Sequence, residues 1–209
     1  MHATFGESKQ ISMRDEGSLT MRLVRIVPLL ALAALPITAA AKTHVYRNLE
    51  FGIVVPIPHG LYLFPPHQMT GIDHGRQLFF KPTSVEDCNN GGCDRYIGFF
   101  AGCNCFEGTK HLHDFLEAQC TVFGGKDCLE SPPELGIKGL KSESARIKLP
   151  NGKVEILVVT QAGKPAPDFD ATVPSINYSI YLLTSEENLE QDMKFFRIIL
   201  ETIRISPPN

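Results

Sequence analysis

Six cysteines, Cys88, Cys93, Cys103, Cys105, Cys120 and Cys128, fall within 41 consecutive positions of a 209-residue chain, and all lie downstream of a segment with the marks of a secretory leader. Arg22 and Arg25 form a positive n-region, Ile26 to Ile37 a short apolar stretch, and Ala39-Ala40-Ala41 a small-residue cleavage box. The apolar stretch is shorter than the roughly 20 residues a membrane-spanning helix needs. Pro28 and Pro36 interrupt it, and no cysteine stands at the cleavage point to carry a lipid. A cleaved leader is therefore expected, with the mature chain starting near Lys42, in a periplasmic or secreted location and with no stable membrane anchor after cleavage. An even number of cysteines in an exported chain reads as three disulfides, a framework that restricts which folds remain open.

A leader must be N-terminal to be read, yet residues 1–20 are polar and aperiodic, so Met21 reads as the start and 1–20 as a non-native or misassigned extension. Residues 42–209 read as one domain. That part carries 16 Lys and Arg against 20 Asp and Glu, a net charge of −4 spread without blocks. Such a balance gives nucleic acid or anionic lipid no basic patch to bind.

Along the mature chain, Thr43 to Arg47 and Phe51 to Pro56 read as an entry hairpin. Leu61 to Phe64, Gln77 to Lys81 and Arg95 to Ala101 read as further strands. Leu112, Phe115, Leu116 and Cys120 share one helical face, predicting a helix from Lys110 to about Val122 with Thr109 as its N-cap. Ser144 to Leu149 and Lys153 to Thr160 flank Pro150-Asn151-Gly152, a strong hairpin signal. Ile176, Tyr178, Ile180 and Leu182 line one face of a strand, with Asn177, Ser179 and Tyr181 on the other. Thr184 and Glu187 match a capping box ahead of a final helix marked by Leu189, Met193, Phe196, Ile199, Leu200 and Ile203. The sum is an α+β domain whose antiparallel sheet is covered by two helices, both expected on one face.

Two segments carry a resemblance. Phe51-Gly52-Ile53-Val54-Val55-Pro56-Ile57-Pro58-His59-Gly60 and Phe195-Phe196-Arg197-Ile198-Ile199-Leu200-Glu201-Thr202-Ile203-Arg204 resemble the opening strand and closing helix of PsbP/Mog1-like domains. The order of elements between them fits too, while the cysteine-rich middle departs from the pattern. The resemblance implies a disulfide-clamped PsbP/Mog1-like sandwich. Because relatives of this architecture include small exported and immunity or accessory proteins, it also implies binding more readily than catalysis.

Cys88 and Cys93 flank the turn-forming Asn89-Asn90-Gly91-Gly92, which favours a bridge between them. The remaining four would join Cys103 and Cys105 at a strand end to Cys120 and Cys128, in a pairing the sequence leaves open among 15 overall connectivities. Cys103, Cys105, His111 and His113 are an alternative metal set, but the C-x-C spacing is poor for zinc and oxidation would consume the thiolates. His113 and Glu117 stand four residues apart on the helix, which suggests a hydrolase centred on His111, His113 and Glu117. H-E-x-x-H, G-x-S-x-G, S-x-x-K and phosphate-loop patterns are all missing from the sequence. No catalytic residue, metal or cofactor is expected, and the chain reads as non-enzymatic.

The leading expectation is an exported domain that binds a protein, in concrete form an inhibitor or immunity protein against a toxin or secreted hydrolase. The loops Glu86 to Asp94 and Pro165 to Pro174 are the expected contact surface, with Asp87, Asp94, Asp168 and Asp170 suited to a basic cleft. The rival is a small-ligand carrier whose apolar pocket uses Tyr46, Phe51, Tyr62, Phe79, Phe80, Phe99 and Phe100.

Overall fold

The central strands are apolar on both sides, and that decides how the rest of the chain packs. A computed structural model describes residues 44–64, 73–104, 109–123, 134–149, 151–164 and 174–207, all within the compact unit Ala41–Asn209. The leader and the Asp168 and Asp170 loop lie outside the described residues, as do Cys105 and Cys128.

In chain order the elements are β1 (His44–Asn48), β2 (Ile53–Ile57), β3 (Tyr62–Leu63), β4 (Gly75–Phe79), α1 (Val85–Asn89), β5 (Tyr96–Cys103), α2 (Leu112–Phe123), β6 (Glu143–Lys148), β7 (Lys153–Ala162), β8 (Ile176–Ser185), α3 (Leu189–Thr202) and β9 (Arg204–Ile205). Six strands form one antiparallel sheet in the order β3-β4-β5-β8-β7-β6, and β1-β2-β9 form a small second sheet. The hairpin at Asn151-Gly152 forms as its sequence predicts. Gly152 takes the left-handed φ of 77° that the turn demands, and Leu149 N–H donates to the Lys153 carbonyl at 2.9 Å.

On one face of the large sheet, Ile97, Phe99, Ile156, Val158, Tyr178, Ile180 and Leu182 pack against Phe196, Ile199 and Leu200 of α3 and against Ile53, Val55 and Ile57 of β2. On the other, Ala145, Ile147, Leu157, Val159 and Tyr181 meet Leu112, Phe115, Leu116 and Cys120 of α2. The two helices thus cover opposite faces rather than the same one. The cause is β7, where the unbroken run Ile156-Leu157-Val158-Val159 is buried on both sides, so each face needs its own apolar cover.

The entry hairpin forms its own sheet on the α3 side. Ile203 ends α3 in extended backbone, its N–H still donating to the Ile199 carbonyl at 2.8 Å, and the next two residues pair with Ile53 and Val54. The Tyr178 hydroxyl donates to the Phe51 carbonyl at 2.8 Å, fastening the two sheets through the core. Gly52 is required here: a Cβ at this position, with φ of 64°, would stand 1.8 Å from the Ser206 carbonyl oxygen.

Both expected helix caps are replaced. Thr184 stays in β8, fully buried, and its hydroxyl donates to Asp192 Oδ2 at 2.6 Å, so α3 starts after Asn188 instead. Thr109 is likewise drawn into contacts with Asn104 and does not cap α2, which begins at Leu112. The capping box that does form is Ser84 with Asp87 at the start of α1.

Asp192 is 0 % exposed and is held by the Thr184 hydroxyl and by the Arg95 guanidinium, whose Nε donates to Oδ2 at 2.7 Å. The second Arg95 nitrogen contacts Oδ1, and the guanidinium carbon sits 4.6 Å over the Phe80 ring. This fork binds the first turn of α3 to the strand start at β5. Removing the cation leaves a carboxylate buried with one hydroxyl for a partner. Arg95→Ala should therefore cost about 2 to 4 kcal/mol, discounted for the partial exposure of Arg95, and lower the thermal midpoint by roughly 5 to 15 °C in a calorimetric or circular-dichroism melt.

Candidate functional site

The segment between β4 and β5 is built by short-range chemistry. Ser84 N–H and Oγ–H donate to Asp87 Oδ2 at 2.8 and 2.7 Å, and Asp87 N–H returns a bond to Ser84 Oγ at 3.1 Å. These donors hold the Asp87 carboxyl below its ordinary range. Gly92 N–H then donates to the Asp87 carbonyl at 2.8 Å, turning the chain back so that Cys88 and Cys93 meet and form their disulfide. No residue of α1 is buried. Glu86, Asn89, Asn90 and Gly91 are exposed along this clamped rim.

Asp94, at the foot of the segment, accepts from Lys153 Nζ at 3.0 Å, and that bond keeps its carboxyl low. Asp87 and Asp94 do lie on one small surface feature, but both carboxylates are engaged inside it. Asp87 acts as a cap and Asp94 as an anchor to β7. Ser84-x-x-Asp87 was visible in the sequence as a cap pattern of the same kind as the one at Thr184; the difference is that Ser84 lies outside any strand.

At the opposite end of the sheet a polar network joins three chain segments. Asn104 Nδ2 donates to the carbonyls of Thr109 and Pro174, each at 3.0 Å, while its Oδ1 accepts from Thr109 N–H, Thr109 Oγ1 and Asn177 Nδ2 at 3.2, 3.1 and 3.0 Å. Gln161 Nε2 extends the network to Thr109 Oγ1 and Asn177 Oδ1. Asn104 and Asn177 use both ends of their amides, which makes the cluster a staple for the approach to α2.

His111, His113 and Glu117 fall at the start of α2. His113 Nε2 lies 3.3 Å from Glu117 Oε1 and its Nδ1 3.1 Å from Glu143 Oε2 on β6, all at the exposed edge of the helix. Among the described residues no three His, Cys, Asp or Glu side chains are placed to hold a metal ion. Cys103 is disulfide-bonded, and Cys120 is buried in the α2 core cluster.

The aromatic residues named for a ligand pocket are dispersed. Tyr46, Phe51, Phe79 and Phe99 are buried in the core, Tyr62 is exposed on the sheet edge, and Phe80 packs edge-on against Phe195 with centroids 5.8 Å apart. Burial pushes the Tyr46 hydroxyl up to about 12, and its donation to the Asp73 carboxylate at 2.9 Å works in the same direction. Phe100 alone of that set borders a cleft, of about 270 Å³, between β5 and α2, walled by Phe115 and Gln119 and floored by Gly102, Asn177 and Ser179. His74 closes its rim, with Nδ1 2.9 Å from the Ala101 carbonyl oxygen. The pairing that brings His74 there depends on the Gly75 to Phe100 register, which no local sequence signal announces.

A six-stranded antiparallel sheet between helices, with a small sheet on one side, is an α+β architecture. No family model and no curated protein matches the chain. Among solved structures it is similar to LpqN of Mycobacterium tuberculosis, described as involved in cell envelope biogenesis, with a TM-score of 0.45 and 12% identity over 81% of this chain and 88% of that one. It is similar also to cyanobacterial PsbP (CyanoP) from Synechocystis sp. PCC 6803, with a TM-score of 0.46 and 10% identity over 84% of this chain and 99% of that one. The likeness is one of fold. Among the described residues no helix is long and apolar enough to cross a membrane.

Asn104 is the member of the polar network that touches most of the others. Asn104→Ala would strand the Thr109 N–H, the Asn177 amide and the Pro174 carbonyl, at a cost of about 3 kcal/mol, read as a lower urea midpoint at unchanged slope.

Proposed function

We propose that this chain is an exported, non-enzymatic domain that binds another protein through the clamped segment 84–95, in the manner of an inhibitor or immunity protein. The observation that carries the reading is the placement of the Cys88–Cys93 disulfide on a segment whose helix buries nothing. A bridge closing so short a loop restricts the unfolded chain little, about 2 kcal/mol in the loop-entropy view. Its larger effect is local, holding the shape of an exposed rim. A rim already ordered pays little entropy when it docks, which is the benefit a binding surface draws from rigidity. Glu86, whose side chain is exposed at the front of that rim, supplies the acidic character that suits a basic partner.

Two further features support the compartment. The leader-like residues 21–41 direct the chain to export, and Cys88, Cys93 and Cys103 are all oxidised, as expected of a periplasmic or secreted protein. N-terminal sequencing of the exported product should find a start near Lys42; a product that keeps residues 21–41 in the cytoplasm would overturn the export reading.

The binding reading is tested with three proteins immobilised in parallel: the native chain, the double variant Cys88→Ser with Cys93→Ser, and Glu86→Arg. Because the rim is remote from the core, all three should share one circular-dichroism spectrum and melt within a few degrees of each other, by the magnitude above. The native chain should enrich a basic protein from the exported fraction of the source cells at least tenfold over both variants. Equal capture by all three would remove segment 84–95 as the binding face.

A further inference from the structure

Among the described residues, Glu155 is the one charged side chain on the α2-facing side of the sheet that the fold buries without a bond. It lies on β7, directly across from Ile147 of β6 and Leu183 of β8, and two residues before Leu157. Ile147 and Leu157 belong to the cluster on which Leu116 and Cys120 of α2 rest. The residue is 4 % exposed, and Oε1 has no hydrogen-bond partner. A carboxyl group in such a place is tolerable when neutral and costly when charged.

Among the described residues, the surrounding groups leave the charge uncompensated. On β5 and β8 the facing titratable residues are Tyr96 and Tyr181, whose hydroxyls are linked to each other and to Gln77 and which burial keeps neutral. Lys153, two residues earlier on the same strand, is engaged by Asp94. On β6 the charged residue of that face is Glu143, which pairs with His113 of α2, and His113 also meets Glu117. Asp114, at the start of α2, is exposed to solvent.

We propose that Glu155 is a proton-dependent latch for α2: with the carboxyl neutral the helix stays seated on β6 and β7, and with the carboxyl ionised the helix is released to let water reach the charge. The proton goes to solvent and comes from it, so no further reactant is involved. Because α2 supplies Phe115 and Gln119 to the wall of the β5–α2 cleft, the same step widens that cleft. The inference does not rest on the partner-binding role assigned to segment 84–95, which lies away from α2 in the sequence and enters these surroundings only through Asp94, the partner of Lys153.

Burial raises the Glu155 carboxyl from its ordinary value of 4.5 to about 7 in the folded chain. A group raised on folding stabilises the folded form below its ordinary value and loses that contribution as pH climbs through the raised one. With these two values the seated-to-released equilibrium shifts roughly 70-fold toward release between pH 5 and pH 8, and changes little beyond.

Amide hydrogen exchange, corrected for intrinsic rates, reads this directly. Protection factors across residues 112–123 should fall by tens of fold from pH 5 to pH 8, while those across 189–202 hold steady. In Glu155→Gln the α2 protection should be the same at both values. His113→Asn removes the contacts that His113 makes with Glu117 and Glu143 and should keep the fall. Should Glu155→Gln not fold, Glu155→Leu offers an apolar replacement suited to the neighbouring leucines, and it should likewise be flat in pH. Carbon-13 titration of the Glu155 carboxyl in the native chain gives a measurement free of substitution, with a midpoint near 7 expected. A midpoint below 5, constant α2 protection in the native chain, or a fall that persists in the Glu155 variants and vanishes in His113→Asn would each overturn the latch.

Discussion

Two-sided burial of β7 and β8 is the constraint from which the architecture follows. Ile156 and Val158 turn to one side and Leu157 and Val159 to the other, and β8 repeats the arrangement with Ile180 and Leu182 against Tyr181. A sheet that is apolar on both faces cannot leave either to water, and the two long helices among the described residues each take a side. The small sheet of β1, β2 and β9 completes the cover on the α3 side, where a single helix is too narrow for the exposed width of the strands. Gly98 shows how close the fit is: a Cβ there would stand 2.5 Å from the Tyr181 ring, which lies across it.

Polar chemistry is confined to the margins of this core and serves mainly to seat it. The Arg95 fork holds the start of α3, the Asn104 network holds the approach to α2, and the Tyr46, Asn48 and Asp73 hydrogen bonds hold the small sheet against the loop before β4. Each of these groups finds partners as burial requires. Against that background the clamped rim at 84–95 and the bare carboxyl of Glu155 stand apart, the first because its order serves no core and the second because its burial serves no bond. They are also different in kind: the rim is ordered at the surface, and the carboxyl is stressed in the interior.

Period-2 and period-3.6 patterns made the individual elements readable. The alternation at Ile176 to Leu182, the Asn151-Gly152 turn, the stripes of α2 and α3, and the bridge across Asn89 to Gly92 all answered to their local signals. Caps were less legible, because Thr184-x-x-Glu187 and Ser84-x-x-Asp87 carry the same code and differ only in whether a neighbouring strand has already claimed the first residue. The expectation of both helices on one side of the sheet fails at Ile156 to Val159, where four successive buried apolar residues leave neither face free for water. Of the proposed contact residues, Asp87 falls in the short helix α1 rather than in a loop and Asp94 in the stretch before β5, and each is occupied in holding that segment.

By itself the sequence determined what depends on near neighbours along the chain: the longer strand and helix segments, the tight hairpin and the short disulfide loop. Tertiary structure alone decided which face each helix would cover, that neither Thr109 nor Thr184 would cap a helix, and that Glu155 would be enclosed without a partner. The physical reason is that periodicity records whether a side chain leaves water, whereas its neighbours after burial are set by strand register between segments far apart in the chain, and a single residue carries no mark of that pairing.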